Sequence, residues 1–230
     1  MLVAIHQPNF LPWLGYFHKI AEADVFVFLD DVQFSKGSYT NRVQILSPTG
    51  PKWLTVPIRL SFGQAIKEIG FARPDWRSAH AETLRGYYRK APAFAEVWPV
   101  IDDLLQGAPD DDLADLNCWL IAHLARRLGL NCEFRRSSEL DLSSASDDRL
   151  IEIVAAVAKD GTYFSGRGAA SYQDPEKFAA AGLGFVYSRY LSPAYPQFNS
   201  AQPVPGLSIA DALFNLGWVA TAKLLQMESD

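Results

Sequence analysis

The first 34 residues constrain the fold most, because two apolar runs flank a proline-containing turn and a helix pattern. The runs lie at residues 2–5 and 25–29, the length of buried strands. Pro8 and Pro12 lie between them, and proline lacks the backbone N–H that a continuing central strand would need. Pro12 favours the first turn of a helix. The stretch therefore predicts a β-loop-α-β unit.

Polar side chains follow both predicted strands of this unit. His6 and Gln7 come after the first strand, and Asp30 and Asp31 come after the second. In open α/β sheets, ligands bind at the carboxyl ends of the strands. We therefore expect the functional site at this edge.

The next part of the chain predicts a hairpin followed by helices. Residues 41–45 and 52–59 read as two strands separated by a Pro/Gly turn, which predicts an antiparallel hairpin at the sheet edge. Helix patterns with capping acids and apolar faces fill residues 75–129. We interpret this block as a helical insertion.

Strand and helix patterns alternate after the insertion. The strand candidates are residues 131–134, 162–164 and 184–187. Such alternation predicts a mainly parallel sheet with helices on both faces. A chain of 230 residues that is 49% hydrophobic can bury a sizeable core. We predict one α/β domain over residues 1–230 with a doubly wound sheet.

Composition and charge exclude several classes of protein. The net charge of −5 argues against nucleic-acid binding driven by bulk electrostatics. No apolar run reaches the roughly 18–20 residues that span a bilayer, so no membrane insertion is expected. The start of the chain lacks the pattern of a signal peptide, and two isolated cysteines fit a reduced, cytoplasmic protein. No Cys or His pair has the spacing of a zinc site.

Short motifs along nearly the whole chain resemble the WbqC-like family. They are HQPNFLPWLGY at residues 6–16, LDDVQF at 29–34, NR at 41–42, WLTVP at 53–57, SSEL at 137–140, YFSG at 163–166, PAYPQ at 193–197 and LSIAD at 207–211. Members of this family are associated with bacterial surface-polysaccharide (O-antigen) gene clusters. The resemblance implies a transferase that acts on a sugar or nucleotide-sugar intermediate.

A second resemblance concerns the fold of adenylyl- and cytidylyltransferases. Those enzymes also begin with a strand and a proline-bearing loop, followed by an H-x-G-H motif that opens a helix. Here WLGY at residues 13–16 stands in that place, so Gly15 matches while Trp13 and Tyr16 replace both histidines. The resemblance implies a nucleotidyltransferase-like sheet and puts nucleotidyl transfer itself in doubt.

His6 and Asp30 are the candidate catalytic residues. A histidine at a strand end suits a general base or a phosphate donor, while the plainer interpretation is a ring that fixes the turn. Asp30 suits a general base, a ribose-hydroxyl acceptor or a carboxylate for Mg²⁺, while the plainer interpretation is a turn-forming aspartate. Mg²⁺ is therefore a possible cofactor, although these residues do not specify which cofactor is used.

The candidate substrate-binding residues lie in the loops that follow the strands. Gln7, Tyr16 and Asn41 are expected to orient the substrate. Arg42 and Arg167 are expected to hold a phosphate or carboxylate, the second within the glycine-flanked loop that begins at Ser165. Tyr195 lies in a proline-rich loop that suits a pocket wall.

The sequence leads to one main functional hypothesis and two alternatives. The main hypothesis is a cytoplasmic transferase in surface-polysaccharide biosynthesis whose substrate is a sugar or nucleotide-sugar. A non-catalytic ligand-binding or scaffold protein of the same pathway is the first alternative, and a nucleotidylyltransferase is the second. The sugar, the donor group and the oligomeric state stay open.

Overall fold

The computed structural model describes residues 1–166, 168 and 173–226. Its strands are β1 (Leu2–His6), β2 (Val25–Phe28), β3 (Arg42–Ser47), β4 (Gly50–Thr55), β5 (Glu133–Arg136), β6 (Thr162–Ser165) and β7 (Gly184–Tyr187). Five of them form a parallel sheet in the order β5-β2-β1-β6-β7. The predicted α/β fold with a parallel sheet is confirmed.

The strand order reverses between β1 and β6, next to the start of the chain. Ala4 pairs with Phe164, so His6 and the loop after Ser165 lie at the same edge of the sheet. β2 and β6 flank β1 on its two sides, and their connections run in opposite directions across the sheet. A crevice opens at such a switch point, at the carboxyl ends of the strands.

Helices cover both faces of the sheet. They are α1 (Leu14–Glu22), α2 (Trp76–Tyr88), α3 (Phe94–Gly107), α4 (Leu113–Arg127), α5 (Ser146–Val157), α6 (Pro175–Ala180) and α7 (Ile209–Leu225). Alternate strand residues point to opposite faces. Ala4 and Phe26 pack in the core beneath α1, α4 and α7. Val3 and Val27 pack in a second core beneath α5 and α6.

Local sequence signals set several of the helix ends. The Asp112 side chain accepts a hydrogen bond from the Asp115 amide at the start of α4, and Asp174 caps α6 ahead of Pro175. α7 is broken at Gly217, whose φ of 77° is left-handed. That φ favours glycine, because a side chain there would be strained, and a Cβ would also lie 2.9 Å from a carboxylate oxygen of Glu96.

The predicted hairpin is present, but it does not extend the main sheet at its edge. Strands β3 and β4 pair with each other as a separate two-stranded sheet. Its attachments come from elsewhere in the chain, since the Ser208 amide donates to the Gln44 carbonyl at 2.8 Å. The Leu46 amide donates to the Tyr88 hydroxyl at 2.8 Å.

A buried aspartate ties the hairpin to the helices. Asp211 of α7 is fully buried and accepts hydrogen bonds from the hydroxyls of Tyr88 at 2.8 Å and Tyr195 at 2.7 Å. Burial raises the pKa of Asp211. Because Tyr88 also accepts from Leu46 of β3, one polar chain links β3, α2, α7 and the 191–208 loop.

Within the described part of the chain, no helix is long and apolar enough to cross a membrane.

The polar chain around Asp211 should contribute strongly to stability. Replacing Tyr88 by Phe leaves the buried Leu46 N–H and one Asp211 oxygen without their partner, so we expect a loss of about 1–3 kcal/mol in the free energy of unfolding. Urea unfolding measures this. The half-buried neighbour Tyr87 is the control, and Tyr87→Phe should change stability by less than about 0.5 kcal/mol. Equal effects of the two variants would contradict the role given to this chain.

Candidate functional site

A cavity of about 850 Å³ opens at the switch point of the sheet. It lies at the carboxyl ends of β1 and β6, beside the start of α1. Its described lining residues are Ile5, His6, Gln7, Trp13, Gly15, Tyr16, Lys19, Leu29, Tyr39, Leu150, Tyr163, Ser165, Gly166, Gly168, Gln173, Ser188 and Tyr190. Several aromatic rings and a few polar groups converge here, which is typical of small-molecule sites.

Lys19 supplies the positive charge of the cavity. It is buried on α1, and its Nζ donates a hydrogen bond of 3.0 Å to the Ile5 carbonyl at the end of β1. Burial lowers the pKa of Lys19 to about 8. Among the described residues, no carboxylate oxygen lies within 4.0 Å of the Nζ. This ammonium is therefore available to an anionic ligand.

Sequence reasoning missed Lys19, because a lysine inside a helix pattern is ordinarily solvent-exposed. Its spacing from Gly15 and Tyr16 could have placed it at the site. Lys19 lies four residues after Gly15 and three after Tyr16, so all three share the helix face that begins at the predicted loop.

His6 is held as a neutral ring beside this lysine. Burial lowers the pKa of His6 to about 3, and the nearby charge of Lys19 acts in the same direction. Its Nδ1 lies 3.0 Å from the Gln7 carbonyl. A carbonyl only accepts, so Nδ1 carries the proton and Nε2 keeps a lone pair. A neutral imidazole in this tautomer can accept a proton from a substrate.

The Gln7 carbonyl also fixes Tyr16. The buried Tyr16 hydroxyl donates to this oxygen at 3.0 Å, and burial raises the pKa of Tyr16 well above its usual range. The ring of Tyr16 meets that of His6 with centroids 4.7 Å apart. One carbonyl therefore sets the positions of two cavity side chains.

The loop after β6 forms the opposite wall. The Ser165 hydroxyl donates to Gln173 Oε1 at 2.5 Å, and Gln173 Nε2 donates to the Tyr163 hydroxyl at 3.2 Å. Gly166 and Gly168 line the cavity on this side. Arg167, predicted to hold an anion, lies outside the described residues.

Gly15 lets an aromatic wall approach the start of α1. A Cβ at this position would lie 3.0 Å from Trp13 Nε1 and 3.7 Å from the Tyr190 ring. Tyr190 in turn stacks on His18 with centroids 4.1 Å apart. A larger residue at position 15 would require Trp13 to shift by a few tenths of an ångström, so glycine permits this close approach.

Asp30 lies outside the cavity lining. It is fully buried, and its carboxylate accepts from Arg136 Nε at 2.7 Å, from the Ser138 amide at 3.0 Å and from the Ser138 hydroxyl at 2.7 Å. Arg136 also pairs with Asp115 of α4. These contacts join the ends of β2 and β5. Asp30 therefore holds the carboxyl edge of the sheet together.

Three further predicted residues lie away from the cavity lining. Asn41 is buried, and its Nδ2 donates to the Val56 carbonyl at 3.0 Å across the neck of the hairpin. Arg42 donates to the Gly37 carbonyl and lies over the Trp53 ring. Tyr195 bonds to Asp211, as described above. The structure thus brings together His6, Gln7, Tyr16 and Ser165 from the predicted set.

The described lining residues include no aspartate or glutamate. Across the described part of the chain, no group of three or more His, Cys, Asp or Glu residues is arranged to hold a metal ion. Mg²⁺ prefers carboxylate oxygens, so these residues do not offer it a protein site. The cavity instead suits an anion with a planar or ring-shaped group.

Two comparisons with known proteins show what this sequence is similar to. The sequence profile described as the WbqC-like protein family matches residues 7–223. The uncharacterized protein Rv1507c of Mycobacterium tuberculosis is 33% identical over 220 residues, which cover 94% of each chain. The matched region includes the loop after β1, α1, the hairpin and the β6 loop. The chain belongs to the WbqC-like protein family.

Proposed function

We propose that the protein is a transferase whose cavity binds a nucleotide-sugar, acting in the cytosol in bacterial surface-polysaccharide biosynthesis. The observation that carries this proposal is the Lys19 ammonium, which has no carboxylate partner among the described residues and lies beside neutral His6 in an aromatic-walled cavity. The resemblance to the WbqC-like family supports a role in surface-polysaccharide biosynthesis. The geometry of the cavity supports a nucleotide-sugar as its ligand.

Lys19 would neutralise the phosphates of the ligand. A buried ammonium bonded to one backbone carbonyl keeps two N–H donors for other acceptors. The start of α1 lines the cavity through Trp13, Gly15 and Tyr16 and has no side-chain cap, and helix N-termini favour negative charge. The ring of Tyr190 offers a flat surface for a base or a sugar. In this proposal, Lys19 takes over the neutralising role that Mg²⁺ has in many nucleotide sites.

His6 would act as the general base once the ligand is bound, because the phosphates offset the Lys19 charge that helps to lower the pKa of His6. The nucleophilic hydroxyl or amine of the second substrate gives its proton to Nε2 while its oxygen or nitrogen bonds to the sugar carbon of the nucleotide-sugar, and the bond from that carbon to the phosphate oxygen breaks. The leaving group departs with the bonding electron pair, and Lys19 stabilises the charge if that group is the nucleotide. Asp30 is proposed as a positioning residue, because its carboxylate is engaged by Arg136 and Ser138.

Two alternatives use the same cavity. A non-catalytic binding or scaffold protein would bind the nucleotide-sugar without converting it. A nucleotidylyltransferase would release pyrophosphate from a nucleoside triphosphate, but Trp13 and Tyr16 occupy the places of its histidines and the described lining offers no carboxylate for Mg²⁺. Product analysis with each substrate distinguishes the three functions.

A thermal-shift screen tests the binding proposal. A nucleotide-sugar at about 100 times its Kd should stabilise the protein by roughly 2.7 kcal/mol, equally with Mg²⁺ or with EDTA. Lys19→Met should remove the shift, because the phosphates lose their counter-charge, while Lys90→Met, at an exposed position just after the end of α2, should keep it. The absence of any shift across a panel of nucleotide-sugars would contradict the proposed ligand class.

The pH dependence of binding should report the Lys19 ammonium. Because its pKa in the free protein is about 8, affinity should fall as the pH rises through about 8, approaching about tenfold per pH unit. His6, with a pKa of about 3, should add no inflection near its ordinary value of 6.5. Calorimetric titration with the nucleotide-sugar found in the screen, between about pH 6 and pH 9, measures the fall in affinity and any inflection from His6. A curve for Lys19→Arg that resembles the wild-type curve would contradict this assignment.

Turnover should depend on His6. His6→Gln keeps a polar side chain but removes the basic nitrogen, so we expect turnover to fall about a hundredfold or more with the melting temperature nearly unchanged. Release of nucleotide in the presence of an acceptor is the measurement. His123→Gln is the matched control, because His123 lies on α4 and bonds to the Trp119 carbonyl. Unchanged turnover in His6→Gln would remove His6 from the catalytic role.

A further inference from the structure

A row of aromatic rings runs from the cavity onto the outer face of the hairpin. Trp13 and Tyr39 line the cavity, and their ring centroids lie 5.3 Å apart. Tyr39 in turn lies 5.5 Å from Trp53 on β4. At the inner end, Trp13 lies 5.9 Å from the His6 ring. We call Trp13, Tyr39 and Trp53 the aromatic track.

The outer rings of the track are exposed yet held in place. Tyr39 is 38% exposed and Trp53 is 42% exposed. The Tyr39 carbonyl accepts a hydrogen bond of 3.1 Å from the Phe10 amide. The Arg42 guanidinium carbon lies 4.2 Å from the centroid of Trp53, and Arg42 is itself bonded to the Gly37 carbonyl. The Tyr39 backbone and the Trp53 ring are thus anchored before binding, and anchored groups lose little freedom when a ligand binds.

Hydrogen-bonding side chains surround Trp53 on the same face of the hairpin. Gln44 pairs with Trp53, and Arg42 pairs with Thr55 across the two strands. Paired residues and residues two apart along a strand share one face. An exposed indole with a guanidinium, an amide and a hydroxyl beside it combines an apolar surface with donors and acceptors.

We propose that the aromatic track is a binding site for a saccharide chain. A sugar ring has an apolar C–H face that packs on an aromatic ring, and hydroxyl groups around its rim that bond to side chains such as Arg42, Gln44 and Thr55. The neighbouring rings are tilted by 59° and 57°. Successive nucleobases stack in parallel, so this geometry does not suit them, whereas linked sugar rings can each turn to meet one aromatic surface.

The track adds a second substrate to the proposed transferase. It leads from solvent to His6, so the end of a bound saccharide would reach the proposed base while the nucleotide-sugar occupies the cavity beside Lys19. The acceptor role rests on the proposed function, but saccharide binding itself does not. The two can therefore be tested separately.

The test is binding to an array of printed bacterial O-chain and capsular oligosaccharides. The wild-type protein should retain at least one of these glycans, and Trp53→Ala should weaken that binding by roughly tenfold or more. Trp53→Phe, which keeps a ring, should recover part of the affinity. The control Phe62→Ala removes a fully exposed aromatic residue outside the track and should bind like the wild type.

Thermal shift with a nucleotide-sugar separates this proposal from the previous one. Trp53→Ala should keep the wild-type shift, which also shows that the variant is folded. If the wild-type protein binds no glycan on the array, or if Trp53→Ala binds as tightly as the wild type, the track is not a saccharide site. If the protein binds a glycan but shows no thermal shift with any nucleotide-sugar, the track is still a saccharide site and the proposed ligand of the cavity is wrong.

Discussion

The hydrogen bond from Lys19 to the Ile5 carbonyl holds a buried ammonium at the carboxyl edge of the sheet. An ammonium buried without a carboxylate partner is unfavourable, and the lowered pKa of Lys19 expresses that cost. Burial of His6 keeps its ring neutral, the charge of Lys19 acts in the same direction, and the Gln7 carbonyl then fixes which imidazole nitrogen carries the proton. Burial of Lys19 and His6 side by side thus leaves a cation and a lone pair at this edge of the sheet.

The buried carboxylates of Asp30 and Asp211 hold parts of the fold together, and none of the described residues that line the cavity is acidic. Asp30 joins the ends of β2 and β5 through Arg136 and Ser138, and Asp211 joins the hairpin to the helices through two tyrosines. Keeping carboxylates in these closed networks preserves the positive potential beside Lys19. The arrangement separates the charges that hold the fold together from the charge offered to a ligand.

Sequence patterns predicted the backbone better than the partners of its side chains. Strand periodicity and the strand-end rule placed His6 and Ser165 at one edge, because both depend on local order. Asp30 follows the same rule, yet its partner Arg136 lies 106 residues away, and that contact decides where the carboxylate goes. Lys19 was missed because its exposure depends on how α1 packs against β1. The separate position of the hairpin likewise depends on contacts with α2 and α7.

The long excursion between β2 and β5 also has a consequence for how the chain folds. β2 and β5 are neighbours in the sheet, but the hairpin and α2, α3 and α4 lie between them in the sequence. The pairing of Phe28 with Arg136 must therefore close a loop of more than a hundred residues. Contacts of such long range form slowly, because the entropy of loop closure is lost before the contact is gained. We expect the hairpin and the helices to form early and β5 to dock late, so that the Asp30 network completes the carboxyl edge near the end of folding.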